Sequence, residues 1–362
     1  MRTGMIYGKH RLPGGARHRL LIAAALVFAG ACGSEDQLSP SAESPTAVAP
    51  TDSIPPADSS AAPLDSTLTS PDSLDPTDPG PAGATLAAGT QPGIVFGSQG
   101  MRPEDLNSIH TGTWAGGAVS PDNVIAFLSG VRSKGGRAII KMSMGTDKYI
   151  TNSDGTFSLT KWKGLVDRFR KVNLDPFISD GTLLGHFLID EPHRAVRWGG
   201  KIISHATVEA MAQYSKGIWR NMTTFARVVP SWLDDSPIIY RALDAGWLQY
   251  EVNKGDVAKL VAAEVAAAKP KGLGLIVGLN ILDGGNGSSG VRGWITRKWA
   301  MSASEIRTYG TALLNQSHAC GFYNWSYQYH GPEYYARTDI KSAMTELSRK
   351  AKAHTRTSCQ QQ

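Results

Sequence analysis

Several motifs that define large classes of protein are missing from this chain of 362 residues. It contains no Gly-x-Ser-x-Gly sequence, which counts against an esterase with a nucleophile elbow. It also lacks the His-Glu-x-x-His zinc motif and the phosphate-binding P-loop. No group of cysteine and histidine has the spacing of a zinc site, so we expect neither a metal nor a cofactor.

Cysteine is scarce, with three in the whole chain. Cys32 lies close to the N-terminus, whereas Cys320 and Cys359 could pair if the protein reaches an oxidising compartment. The alternative is a buried free thiol at Cys320, because this residue begins an apolar segment.

The first 31 residues carry five basic side chains and no acidic one, and they end in the apolar run Leu20–Ala31. This pattern predicts a secretory signal, and the run is too short to span a bilayer as a helix. Ala29-Gly30-Ala31-Cys32 resembles the lipobox of bacterial lipoproteins, which implies a lipid anchor on Cys32. Gly33 implies an outer-membrane or surface location within that resemblance. Ordinary signal cleavage just before Cys32 is the alternative.

Residues 32–90 contain nine acidic residues, many Pro, Ser, Thr and Ala, and no Lys, Arg or aromatic residue. Such a segment cannot bury enough apolar surface to offset its ordering entropy. We therefore predict a disordered tether between the membrane anchor and a folded domain at residues 91–362.

Of the 37 basic and 31 acidic residues, five basic ones lie in the first 31 residues and nine acidic ones in the tether. The folded domain therefore has a net charge of about +10. A solvated basic surface explains this charge, and attraction to an anionic polysaccharide or to the cell envelope is the alternative. No nucleic-acid-binding module is recognisable, so we predict no nucleic-acid partner. We also predict a monomer.

The domain alternates apolar, strand-like segments with amphipathic, helical ones about seven times over about 270 residues. This alternation predicts a parallel sheet covered by helices, and the length is typical of a (β/α)8 barrel. Seven strands are clear, and we place a degenerate second strand around Ile109–Ala115. We also expect a short helix over Ile238–Ala245. Two further helices are predicted to start at Asp256, as a capping residue, and at the capping box Ser302-x-x-Glu305. A doubly wound open sheet is the alternative fold.

One apolar strand, Leu183–Ile189, stops abruptly at Asp190, Glu191 and Pro192. Proline cannot donate a hydrogen bond to a neighbouring strand, so the two acids lie at the carboxyl end of a strand. That end of a barrel is where ligands bind. Other predicted strands also end near acids: Asp147, Asp234, Asp235, Glu251 and Asp283.

Paired carboxylates are what glycoside hydrolysis requires. We predict Glu191 as the general acid/base, with a pKa raised by the like charge of Asp190. Asp283 is the predicted second carboxylate and Glu251 its competitor. The alternatives are that Asp190 or Glu191 pairs with a strand-end Arg or Lys, and that Asp283 is a turn residue before two glycines.

Aromatic and polar residues near the strand ends are candidates for binding sugar, because Trp and Tyr can stack on sugar rings. For Trp325 and Tyr327, core packing is the alternative. His186 lies inside the strand Leu183–Ile189 and is predicted to be a core residue. The candidates are Trp114, His193, Trp232, Tyr250, Asn280, Asn324, Trp325 and Tyr327.

Three segments resemble a group of exported bacterial proteins that look like glycoside-hydrolase barrels. These segments are residues 187–192, residues 278–285 and the last strand with Trp325. The resemblance covers about residues 91–350 and supports the placing of Glu191 and Asp283. If the degenerate strand is counted, these residues end strands four and seven. The catalytic carboxylates of the large retaining glycosidase clan occupy those strands, although that clan has Asn-Glu and Glu there.

The leading hypothesis is a glycoside hydrolase that acts on poly- or oligosaccharide at the cell surface through two carboxylates. The alternative is a non-catalytic carbohydrate-binding barrel lipoprotein of the cell envelope. A structural envelope lipoprotein is a third possibility.

Overall fold

The computed structural model describes residues 92–116, 119–295, 297–356 and 358–360. The predicted signal segment, Cys32 and the tether lie outside the described residues. Eight parallel strands form a closed barrel, in which each strand pairs with the next and the last pairs with the first. The strands are β1 Phe96–Gln99, β2 Gly112–Ala115, β3 Arg137–Ile140, β4 Leu183–Asp190, β5 Thr223–Arg227, β6 Ala245–Tyr250, β7 Gly274–Leu279 and β8 Ala319–Asn324.

The closure confirms the predicted (β/α)8 barrel, and the open-sheet alternative is wrong. The degenerate strand predicted around Ile109–Ala115 is confirmed as β2, which pairs with both β1 and β3. Helices connect the strands: α1 Val124–Ser133, α2 Leu159–Asp167, α3 Asp175–Ser179, α4 His205–Ile218, α5 Pro230–Asp234, α6 Val257–Ala268, α7 Ala303–Leu314, α8 Gly331–Ala336 and α9 Thr338–Lys352. No helix in the described ranges combines the length and apolarity needed to cross a membrane.

Two predicted helix starts are confirmed by their capping contacts. The carboxylate of Asp256 accepts the backbone N–H groups of the second and third residues of α6. Ser302 and Glu305 form a reciprocal capping box at the start of α7.

The helix predicted over Ile238–Ala245 is wrong, because the segment before β6 is irregular. Its backbone N–H groups are used by a distant acid: the carboxylate of Glu209 on α4 accepts from Arg241, Ala242 and Leu243 at 2.9, 3.0 and 3.1 Å. Glu209 is buried, and these contacts satisfy its charge. A tertiary contact therefore replaces the helical hydrogen bonds that the local pattern suggested.

Aromatic side chains fill the middle of the barrel. Trp114 on β2 lies against Phe187 on β4 and Trp247 on β6, with ring centroids 4.6 and 5.0 Å apart. Tyr323 on β8 completes this layer, 5.7 Å from Trp247. The barrel is therefore a packed core, and ligands have access only to its ends.

The C-terminal segment is linked to the barrel by a disulfide between Cys320 and Cys359, whose Cα atoms are 5.0 Å apart. Cys320 lies near the start of β8, so the bond sits at the end of the barrel opposite the strand-end acids. Both sulfur-bearing residues are buried within the barrel core.

We predict that Cys359→Ala lowers the free energy of unfolding by up to about 4 kcal/mol, because the bond closes a loop of 39 residues. Urea unfolding of the oxidised wild type and the variant measures this difference. The wild type under reducing conditions is the control and should unfold like the variant. Equal midpoints under oxidising conditions would contradict the prediction.

Candidate active site

The carboxyl ends of β4 and β5 meet at the centre of the candidate site. Asp190, the last residue of β4, stands opposite Arg227, the last residue of β5. The Arg227 guanidinium donates through Nε to the Asp190 carboxylate. Its Nη1 donates to Oε1 of Gln249 on β6 at 2.7 Å, so three adjacent strands are joined at their ends.

Glu191 follows β4 in a left-handed backbone conformation, with φ of 47°. Such a conformation costs a residue with a Cβ atom about 1–2 kcal/mol. Three hydrogen bonds hold it: Glu191 N–H donates to the Arg227 carbonyl at 3.0 Å, and Arg194 N–H and Trp198 Nε1 donate to the Glu191 carbonyl at 3.1 and 3.0 Å. The direction of the Glu191 side chain is therefore fixed by its surroundings.

Three arginines surround the two acids. Glu191 lies 2.9 Å from Arg194, 3.1 Å from Arg197 and 3.6 Å from Arg227. Arg197 also contacts Asp190 at 2.7 Å. We call this network the rim ion cluster, and Asp147 and Lys141 complete it: Asp147 lies 2.6 Å from Arg197 and 3.5 Å from Lys141.

The cluster determines the charge state of both acids. Burial raises the pKa of Glu191 and the charge of Asp190 raises it further, but Arg227, Arg194 and Arg197 outweigh both, and the pKa lies below its ordinary value. The pKa of Asp190 is likewise well below its usual range, because Arg227 and Arg197 overcome the effect of burial. The raised pKa expected for Glu191 is therefore wrong, and pairing with strand-end arginines is what the structure shows.

Asp283 has a different environment. It is 4% exposed, and its Oδ1 accepts the Ile295 N–H at 2.9 Å, which ties it to the loop between β7 and α7. Its Oδ2 is buried without a partner among the described residues. Burial raises the pKa of Asp283 above its ordinary value, although hydrogen bonds and Lys298 act in the opposite direction.

Glu191 and Asp283 form no hydrogen bond with each other in the part of the chain that the structure describes. Glu251 pairs with Lys298 at 3.1 Å, and its charge acts on both Asp283 and Lys254. The charge of Glu191 also acts on Lys254. Glu251 therefore has electrostatic links toward both candidate carboxylates.

Three predicted sugar-binding residues are core residues, so those predictions are wrong. Trp114 is 4% exposed inside the barrel, and Tyr250 is 1% exposed with its hydroxyl donating to the Gly255 carbonyl at 2.6 Å. Asn324 is 1% exposed, and its Oδ1 accepts the Leu279 N–H. Asn324 joins β8 to β7, Tyr250 holds the loop after β6, and Trp114 packs in the middle of the barrel. His186 is buried and hydrogen-bonded to Ser215, which confirms it as a core residue.

The other predicted binding residues reach the surface at least in part, and their roles stay predictions. His193 is exposed, with its ring 6.2 Å from that of Trp232. Asn280 and Trp325 form a bridge beyond the ends of β7 and β8. Tyr327 is half-buried against Tyr335.

Two exposed aromatic residues were not identified from the sequence. Trp294 is 39% exposed and Tyr329 is 40% exposed, and their rings stack with centroids 3.9 Å apart. Trp325 lies beside Tyr329 at 6.1 Å. Trp294 and Tyr329 lie in irregular loops after β7 and β8, where no periodic pattern marks a side chain as exposed.

Two further acids lie away from the rim. Asp234 belongs to α5 and lies 3.6 Å from Lys271, which stands three residues before the start of β7 and so marks the opposite end of the barrel. Asp235 caps the same helix. No group of His, Cys, Asp and Glu in the described ranges has the arrangement of a metal site.

No protein-family model and no curated protein matches the chain. Among solved structures, its neighbours are barrel-shaped glycoside hydrolases. A β-glucanase from Saccharophagus degradans has a TM-score of 0.50 at 10% identity, over 72% of this chain and 88% of that one. A cellulase in complex with an inhibitor has a TM-score of 0.49 at 10% identity, over 70% and 92% of the chains. At this identity, the likeness to the β-glucanase shows the fold alone.

We predict that Arg197→Gln destabilises the fold by about 2–4 kcal/mol at pH 7, since it leaves three carboxylates with fewer partners. Because the wild-type cluster lowers the pKa values of Asp190 and Glu191, its contribution through these two acids is complete above the unfolded pKa of about 4 and is lost as the pH falls through the folded values. The difference between the two proteins should therefore shrink in acid.

Urea unfolding at pH 7 and at pH 3 measures the effect. Arg170→Gln is the matched control, because Arg170 forms an exposed pair with Asp167 and should cost less than about 0.5 kcal/mol. Equal losses in the two variants would show that the cluster does not stabilise the rim.

Proposed function

We propose that the protein is a glycoside hydrolase that cleaves poly- or oligosaccharide at the cell surface. The observation that supports it is a pair of carboxyl groups on one rim with opposite environments. The pKa of Glu191 is lowered by arginines, and the pKa of Asp283 is raised by burial. Two groups whose pKa values are shifted in opposite directions are suited to acid and base roles in one reaction.

The roles in this proposal are the reverse of those expected from the sequence. Asp283 keeps its proton more readily and donates it to the leaving glycosidic oxygen. Glu191 stays ionised and acts either as the nucleophile or as the base that activates water. Asp190 holds Arg197 and Arg227 in position, and Glu251 is the alternative partner of Glu191.

The proposal requires one movement. Asp283 Oδ2 is out of contact with solvent, and its other oxygen is held by the loop that carries Trp294 and Ile295. That loop must shift as a glycan binds, so that Oδ2 faces the scissile bond. The exposed stack of Trp294 and Tyr329 offers a sugar platform on the same loop and its neighbour.

A non-catalytic carbohydrate-binding barrel is the second candidate. The enclosure of Asp283 favours it, together with the neutralisation of Glu191 by three arginines. In that case the rim would hold glycan at the envelope without cleaving it.

We expect a panel of oligosaccharides to include a substrate that the wild type hydrolyses, and both Glu191→Gln and Asp283→Asn to lower the rate at least about 100-fold. The rate should fall in acid as Glu191 gains a proton, at a pH below the ordinary range for Glu. It should also fall as the pH rises through the raised pKa of Asp283. Product release measured by chromatography across pH tests both limbs.

Asp339→Asn is the control, because Asp339 lies on the outer helix α9 and forms an exposed pair with Arg337 just before it. Full turnover in Glu191→Gln would remove Glu191 from its role. Binding without turnover in the wild type would favour the second candidate.

We further propose that the protein is exported and anchored in the membrane through a lipid on Cys32. Cys32→Ser should then move the protein from the membrane fraction to the soluble fraction, since acyl chains provide the membrane affinity. Fractionation of cells that express each form, followed by immunoblotting, measures the change. Cys359→Ala, which keeps Cys32, is the control. If the wild type and Cys32→Ser are both found in the soluble fraction, ordinary signal cleavage before Cys32 is indicated.

A further inference from the structure

The rim carries more positive than negative charge at its centre. The rim ion cluster contains four basic and three acidic side chains, and Lys254 lies within its field. Lys254 follows β6 and donates from Nζ to the Gln249 carbonyl at 2.7 Å. Among the described residues, it forms an ion pair with no carboxylate. The neighbouring acid Glu251 is already paired with Lys298.

Arg194 adds a second cation with unused capacity. Its side chain is 33% exposed, and its one ion pair in the described structure joins Nη1 to Glu191. A guanidinium offers five N–H donors in a planar fork. Several of these donors can therefore face a ligand without breaking the contact with Glu191.

Gln249 and Glu191 bring these cations to one place. Gln249 accepts from Arg227 Nη1 through its side chain and from Lys254 Nζ through its carbonyl, both at 2.7 Å. Glu191 lies 2.9 Å from Arg194 and 3.6 Å from Arg227.

His193 precedes Arg194 and reaches the surface of the same rim, where Arg194, Arg227 and Lys254 act on it electrostatically. Partial desolvation by the surrounding groups and these three charges outweigh the opposing charge of Glu191 and lower the pKa of His193, so the ring is neutral at pH 7 and can donate one hydrogen bond. Trp232 lies beside it, with ring centroids 6.2 Å apart.

We propose that the glycan recognised by this rim is acidic, and that a sugar carboxylate or sulfate group binds at Arg194 and Lys254 beside His193. Neutral hydroxyl groups cannot compensate a partly desolvated excess of positive charge, whereas an anionic substituent can. The net charge of about +10 on the folded domain attracts such a polymer from a distance. The inference rests on the proposed function, because it names the substrate class of the same rim.

The test compares each charged oligosaccharide with its neutralised form on the same backbone. Oligogalacturonate is paired with its methyl ester, and a sulfated carrageenan oligosaccharide with its desulfated product. Calorimetry at low salt should show one charged form binding at least about tenfold more tightly than its neutral partner. That preference should decrease as salt screens the charges. The pair that shows it distinguishes a carboxylate from a sulfate.

Arg194→Gln and Lys254→Gln should each reduce the ratio between charged and neutral forms toward one, while Arg194→Lys should keep part of it. Arg170→Gln, which removes an exposed arginine elsewhere, should keep all of it. Thermal melting of each variant shows whether it is folded. A ratio near one for both wild-type pairs overturns the inference, and so does an unchanged ratio in both Gln variants.

The result also separates this inference from the proposed hydrolase. Charge-dependent binding without cleavage leaves acidic-glycan recognition standing and removes the hydrolase. Cleavage of neutral glycans with no preference for charge has the opposite meaning.

Discussion

The pairing of Asp190 with Arg227 at the ends of β4 and β5 is the contact on which the rest of the site depends. Strand register places the two side chains opposite each other, and the Arg227 carbonyl holds the left-handed backbone of Glu191. A buried acid stays ionised only if cations compensate it. Arg194 and Arg197 do so because the chain turns back after Glu191 and returns them to the strand end.

This arrangement divides the rim into two chemically different sides. Over β3 to β6 lie ionised acids and a surplus of cations, and a carboxylate in such a field is a poor proton donor. Over β7 and β8 lie a carboxyl with a raised pKa and the exposed stack of Trp294 and Tyr329. A polysaccharide that crosses the barrel would meet charge on one side and aromatic rings on the other.

Features that depend on local sequence were predictable. The alternation of strands and helices gave the barrel, and the capping residues Asp256 and Ser302 marked two helix starts. Features that depend on distant partners were not. The backbone of residues 241–243 binds Glu209, and Arg227 sits in an apolar strand where nothing marks it as a partner of Asp190. The expected pKa of Glu191 was wrong for the same reason, since only its sequence neighbour was counted.

Stability alone does not explain the rim ion cluster. Replacing a buried ion network with apolar side chains of similar volume is often neutral or stabilising, because desolvation offsets the attraction between charges. The cluster also requires Glu191 to hold a costly backbone conformation. A rim that keeps both features at the open end of a packed barrel is better explained by what the charges do to a ligand. The ionised Glu191 and the neighbouring cations Arg194 and Lys254 are then two parts of one recognition surface.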